Sequence, residues 1–303
     1  MRTLNLISLY YYVCQLYDEH LSPHCFRHTK NGIEPLFTDQ ELITLYLFIE
    51  FTYQPRHLKS NYMIAADTYA DWFPHLPSYE RYNKRLNRIS SVMPLIVSDL
   101  CRIRFKDLQR RGQLHDEGWL LTDSFPVVCC AGNRSGVVAP ELTDRGYNST
   151  KNMHFWGVKV HVIGIKVPSG LPVPYKLWVA PASEHDYRAQ VSELEQLAQS
   201  NLSGDKAFES KELIDQFERQ GGTWMIGKKD NYRKRTQERQ RHIAADNMYN
   251  RSVAKLKQPI EALFAAFHKM GVQTASLVRS TAGLTRQLMG RIAASLLGAT
   301  ILC

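Results

Sequence analysis

Residues 119–128 read Trp119-Leu120-Leu121-Thr122-Asp123-Ser124-Phe125-Pro126-Val127-Val128. The run has the length and apolar content of a buried strand, and one carboxylate, Asp123, sits inside it. An ionised acid in such a place costs free energy unless it is paired or holds a metal. The flanking texture supports an α/β reading. Residues 154–162 and 175–179 predict two more strands, with Val167-Pro168-Ser169-Gly170 making the turn between them. A helix from Glu184 to about Gln199 follows, capped by Ser183. Then come a short strand ending near Gly204-Asp205, a helix over 210–219, a strand over 223–226 and a helix carrying Glu261. Three strands followed by helix, strand, helix, strand, helix is the order of a ribonuclease H-like domain with a mixed sheet flanked by helices. Residues 284–297 predict a last helix.

Ahead of residue 117 the chain reads as helical. Leu6, Leu9, Tyr10, Val13, Leu16 and Tyr17 recur at helical spacing, and Thr38-Asp39-Gln40-Glu41 is a capping-box pattern. Ser78 predicts the start of a helix with Tyr79, Tyr82, Leu86 and Ile89 on one face. Arg81, Lys84, Arg85 and Arg88 gather on another. A basic amphipathic helix after shorter helices has the form of a helix-turn-helix, and also of a solvated charged face. The expected division is therefore 1–116, helical with a helix-turn-helix-like region, and 117–303, α/β.

Composition narrows the classes. With 44% hydrophobic and 22% charged residues the 303-residue chain can bury a sizeable core. Six cysteines without a CxxC pair exclude a disulfide scaffold and suggest no zinc site. The N-terminus lacks a cleavage-site pattern, and the apolar run 292–303 is about half a membrane span. A reducing cytoplasm is expected, with no membrane association. The net charge of +9 is uneven. Residues 228–257 hold ten basic and three acidic side chains, with Tyr232 and Tyr249 interleaved. A localised basic block suits a polyanion, and tyrosines suit unpaired bases.

Three acids stand out by position: Asp123 in a strand, Asp205 just past a strand end, and Glu261 on a helix. Glu261 is the only acid between residues 247 and 303. Oxygen ligands of this kind suit Mg²⁺ or Mn²⁺, and two such ions activate a nucleophile and stabilise the leaving oxygen in phosphodiester chemistry. Lys206, next to Asp205, could meet a phosphate. Lys257, one turn before Glu261, could fix a scissile phosphate or pair with the Glu. His268 lies on the same face, and His185 and Asp186 open a helix that could support the site. Pro259 is expected in the first turn of the Glu261 helix.

These motifs resemble a family. Leu76-Pro77-Ser78-Tyr79-Glu80-Arg81-Tyr82 through Arg88, Thr122-Asp123-Ser124-Phe125-Pro126-Val127, Phe155-Trp156-Gly157-Val158-Lys159-Val160-His161, Ser203-Gly204-Asp205-Lys206 and Ile260-Glu261-Ala262-Leu263-Phe264 are similar to bacterial insertion-sequence transposases of the DDE type, nearest the insertion-sequence-982 group. Related sequences often continue Gly-Asp-Lys with Gly-Tyr, where this chain has Ala207-Phe208, and place Arg before the Glu, where it has Lys255, Lys257 and Pro259. The resemblance implies a ribonuclease H-like fold from residue 117 and a metal-binding triad of Asp123, Asp205 and Glu261. It implies two-metal cleavage of element ends and joining of the 3′-hydroxyl to target DNA. Expected DNA contacts are Arg81, Lys84, Arg85, Arg88, Lys206, Arg233, Lys234, Arg235, Lys255 and Lys257. The expected partners are double-stranded DNA, as terminal inverted repeats and target, and a second copy of the chain. A nuclease that does not join strands shares the triad. A non-catalytic DNA-binding regulator would use only the basic helix and segment.

Overall fold

The structure is a computed structural model describing residues 2–25, 35–113, 118–132, 141, 144–148, 152–228, 237–275, 277–298 and 300–301. The chain divides into two compact units. The first comprises Met1–Arg104, Val127–Thr143 and Ala266–Cys303, and the second Phe105–Pro126 and Asp144–Ala265. Among the described residues no helix is long and apolar enough to cross a membrane.

The first unit is helical. It contains α1 (Arg2–Leu16), α2 (Asp39–Tyr53), α3 (Leu58–Thr68), α4 (Tyr79–Arg88), most of α5 (Val92–Arg110) and α9 (Thr281–Leu297). The capping box forms as its sequence predicts. Glu41 N–H donates to Thr38 Oγ1 at 3.2 Å, and Thr38 N–H donates to Glu41 Oε2 at 2.6 Å. In α4 the apolar face is buried through Tyr82 and Leu86, followed by Ile89, while Arg81, Lys84 and Arg88 stay exposed. The last helix belongs to this unit, whereas sequence order alone groups it with the catalytic part. The reason is packing. Leu284, Leu288, Ile292, Ala293 and Leu297 are buried, Tyr46 of α2 donates to the Arg286 carbonyl at 3.1 Å, and Gly290 lies against the Tyr46 ring. A Cβ at Gly290 would come within 2.6 Å of that ring, so glycine is required there for α2 and α9 to approach.

The second unit is built on a six-stranded mixed sheet. Its strands are β1 (Trp119–Ala131, which continues into the first unit from Val127), β2 (Asp144–Asn148), β3 (Met153–Ile165), β4 (Val173–Pro181), β5 (Asn201–Gly204) and β6 (Thr223–Ile226). The order is β2-β3-β1-β5-β6, with β4 also paired to β3. β3 runs antiparallel to β2 and β4, whereas β1, β5 and β6 are parallel neighbours. The helices are α6 (Asp186–Gln196), α7 (Lys211–Gln220) and α8 (Gln237–Lys269). This is a mixed α/β, ribonuclease H-like arrangement after a helical N-terminal region. One core layer joins Ile163, Leu194, Leu202, Phe208, Phe217 and Trp224 between the sheet and α6–α7.

Three local readings change. β2 lies where the sequence predicts no element, since Asp144-Arg145-Gly146-Tyr147-Asn148 has no strand pattern of its own. It pairs along β3 because Gly146 leaves room for Ala182 and the Phe155 ring. The N-cap of α6 is His185, whose Nδ1 accepts from Tyr187 N–H at 3.3 Å, rather than Ser183. Pro259 is not in a first turn: α8 is a 33-residue helix and Pro259 lies deep inside it. Proline there forfeits one backbone hydrogen bond and costs about 3 kcal/mol. Burial of Ile260, Leu263, Phe264 and Phe267 offsets it, at roughly 1.5–3 kcal/mol per side chain.

Candidate active site

The parallel pairing of β1 with β5 sets the two aspartates side by side. Leu121 is opposite Ser203, so two residues further along each chain Asp205, just past the end of β5, comes level with Asp123 inside β1. Gly204 fits this bend tightly: a Cβ there would lie 3.0 Å from Thr122 and 3.3 Å from Phe208. Each carboxylate accepts from the next backbone N–H, Ser124 to Asp123 Oδ1 at 2.8 Å and Lys206 to Asp205 Oδ1 at 2.8 Å.

Lys257 of α8 points between them. Its Nζ lies 3.6 Å from Asp123 Oδ2 and 3.7 Å from Asp205 Oδ1, with the lysine side chain only 10% exposed. α8 is held in place at two levels. Phe264 packs edge-on against Phe125 of β1, ring centroids 4.8 Å apart. Asn250 exchanges hydrogen bonds with the backbone of Lys228 just past β6, and the Lys228 ammonium lies over the Tyr249 ring.

The electrostatics of the pair are uneven. Asp205 is more than half exposed, and Asp123 is largely buried. Burial pushes the Asp123 carboxyl up to about 6; Lys257 and the Ser124 N–H oppose this, and the neighbouring Asp205 and Asp186 add to it. Asp186 itself is paired with Lys159 at 3.0 Å, and that lysine also donates to the Glu184 carbonyl.

Beneath Asp123 lies a buried polar chain. Thr122 Oγ1 donates to Gln190 Oε1, and Gln190 Nε2 bonds His161 Nδ1 at 2.8 Å. His161 stacks on Trp178, and burial pushes its pKa down to about 4. Sequence reading singled out neither Gln190 nor His161 as a supporting residue. An isolated Gln on a helix and a His in a strand give no pattern signal, because the partners come from three separate elements.

The remaining expected residues fall in different places. Glu261 is exposed on α8 one turn after Lys257, and it forms no ion pair among the described residues. Lys257 therefore pairs with the aspartates and not with Glu261. Among the described residues no three His, Cys, Asp or Glu side chains gather closely enough to hold a metal ion. Asp123 and Asp205 come together; Glu261 does not join them in this arrangement. Lys206 and Lys255 are exposed, as are Arg81, Lys84 and Arg88. Arg85 is committed internally: it pairs with buried Asp39 at 2.9 Å and lies over the Phe37 ring. That pairing competes with a DNA contact, because Asp39 is buried and its charge needs a partner. Arg233, Lys234 and Arg235 lie outside the described residues.

A family model described as a transposase DDE domain matches residues 119–297, more than half of the chain. The chain belongs to the transposase DDE domain family. The match begins at β1 and takes in both aspartates, Lys257, Glu261 and α9. No curated protein and no solved structure matches the chain. DDE domains cut and join DNA strands and generally use divalent metals, so DNA is the substrate class.

Proposed function

We propose that the chain, a DDE transposase resembling the insertion-sequence-982 group, cuts the ends of its element and transfers the freed 3′-hydroxyl into target DNA. The observation that carries this reading is the pair Asp123–Asp205, set side by side by adjacent parallel strands, with an ammonium between them. A buried carboxylate raised to about 6 beside a second carboxylate is a place that calls for a cation, so these residues fit a hard divalent ion. Asp123 and Asp205 would hold it, and Glu261 on α8 would complete the ligand set. Two such ions would activate the attacking water or hydroxyl and stabilise the leaving oxygen.

The chain's own groups do the rest. Lys257 compensates the two carboxylates while the site is free of metal. Once displaced, its ammonium is positioned to bind a phosphate oxygen near the scissile bond. Lys206, next to Asp205 in the chain, and Lys255 on α8, both exposed, take flanking phosphates. Arg81, Lys84 and Arg88 of α4 supply a second set of backbone contacts, with Arg233, Lys234 and Arg235 adding charge before α8. Two element ends must meet, so at least two copies act together on DNA. The setting is the bacterial cytoplasm, at the nucleoid.

The test is Mg²⁺-dependent cleavage of a labelled element end, with strand transfer from a pre-cleaved end. Wild type is expected to cut and to join, and Asp205→Ala to lose both by about a hundredfold or more. Equal cleavage by both proteins overturns the site. Cleavage without joined product assigns a nuclease instead, and DNA binding without any cleavage assigns a regulator.

A further inference from the structure

In the first unit a groove of about 430 Å³ opens between the start of α3, one side of α4 and the start of α9. Its polar lining includes His57, Lys59, Asn83, Asn87, Arg279 and Arg286. Arg286 is the unusual member. It is 6% exposed, its guanidinium carbon lies 5.8 Å over the Tyr46 ring, and its Nε donates to Asn87 Oδ1 at 3.2 Å. Its guanidinium also hydrogen-bonds the Tyr46 side chain, and among the described residues no carboxylate lies within ion-pair distance of it.

Its neighbour on α9, Arg291, is equally buried but fully engaged. Arg291 meets Glu50 at 3.5 Å and donates to the carbonyls of Gly271, Thr274, Pro55 and Arg56. Glu50 is the buried acid of this cluster, and it also accepts from Asn61 at 3.1 Å. Two buried guanidiniums therefore share one carboxylate, leaving one cation in surplus. A buried cation without a counter-ion is costly, and a planar guanidinium suits an oxyanion. The rim has the same sign: Lys59 and Arg279 are exposed, and the first turn of α9 faces the groove. The Thr281 N–H and hydroxyl at that helix end are taken by Glu141 Oε2 at 2.9 and 3.1 Å, so the side chains of the groove, not the helix end, supply the contacts.

We propose that this groove is a phosphate clamp for the DNA backbone, with Arg286 as its floor, Asn83 as an amide donor held by the Asn87 amide at 3.0 Å, and Lys59 and Arg279 at its rim. A duplex fits better than a free phosphate because the positive surface continues beyond the groove. Lys84 and Arg88 each follow a groove-lining asparagine by one residue, about 100° round α4, and both are exposed. The assignment rests on the reading of the chain as DNA-acting and adds to it a positioning site away from the carboxylates.

The experiment measures binding of a labelled duplex by the full chain across a KCl series, with thermal melting in sodium phosphate against sodium chloride at equal ionic strength. Arg279→Gln, at an exposed position, is expected to weaken duplex binding roughly five- to tenfold and to lower the salt slope by about 1. Arg286→Lys keeps the charge but loses the fork. It is expected to weaken binding with an unchanged slope, and to lose the stabilisation that phosphate gives wild type. Circular dichroism confirms that both variants fold. Unchanged affinity in both groove variants overturns the clamp and leaves the transposase reading standing. Loss of the phosphate effect without a change in duplex binding overturns the DNA assignment. No duplex binding by wild type overturns the DNA reading itself, and the clamp with it.

Discussion

Both units bury charge, in opposite ways. In the helical unit Glu50 and Arg291 sit in a network that satisfies nearly every polar group. Asn61 links Glu50 to the Tyr82 hydroxyl, and four backbone carbonyls take the Arg291 donors. In the sheet unit Asp123 is buried with one short backbone hydrogen bond and an ammonium no closer than 3.6 Å. The first arrangement is closed and stabilises a fold. The second is open, with carboxylate oxygens left to bind something else. The contrast separates a buried charge that holds helices together from one kept available for chemistry.

The largest effect expected from this contrast lies in the closed network. Arg291→Ala leaves Glu50 buried without its cation and several carbonyls unpaired. Urea unfolding should show a loss of about 3–5 kcal/mol. A loss under about 1 kcal/mol would mean the network is not what fixes α9 against the other helices.

A smaller effect is expected from the buried chain under Asp123. His161 has its pKa lowered to about 4 by burial, from an ordinary 6.5. The unfolded chain then binds a proton that the folded chain resists, so stability is lost as pH falls from about 6.5 toward 4. At pH 5.5 the loss is on the order of 1 kcal/mol relative to neutral pH. His161→Gln removes this term, so the melting temperature of the variant should fall less steeply between pH 7 and 5.5. Parallel curves for the two proteins would place His161 outside the titrating set.

Much of this was legible in the sequence where the signal was local. The Thr38–Glu41 capping box, the buried face of α4, and the strands around Asp123 and Asp205 follow from spacing alone. What was not legible depends on chain segments meeting. β2 is a polar pentapeptide that becomes a strand only beside β3. α8 continues through Pro259 because its apolar face is buried downstream. α9 follows the catalytic elements in order, yet its buried stripe and Gly290 fit Tyr46 of α2. At the candidate site the spacing of Lys257 and Glu261 suggested a pair on one helix face. The lysine instead reaches across to the two aspartates, whose side-by-side placement only the β1–β5 register reveals.

The central claim is that Asp123 and Asp205 form a divalent-cation site whose place Lys257 fills in the metal-free protein. Titration of Mn²⁺ into the full chain without DNA tests it most directly, with binding read by calorimetry. Wild type is expected to bind, Asp205→Asn to lose binding, and Lys257→Gln to bind about tenfold more tightly because a competing positive charge is gone. Equal Mn²⁺ affinity in wild type, Asp205→Asn and Lys257→Gln would contradict the account.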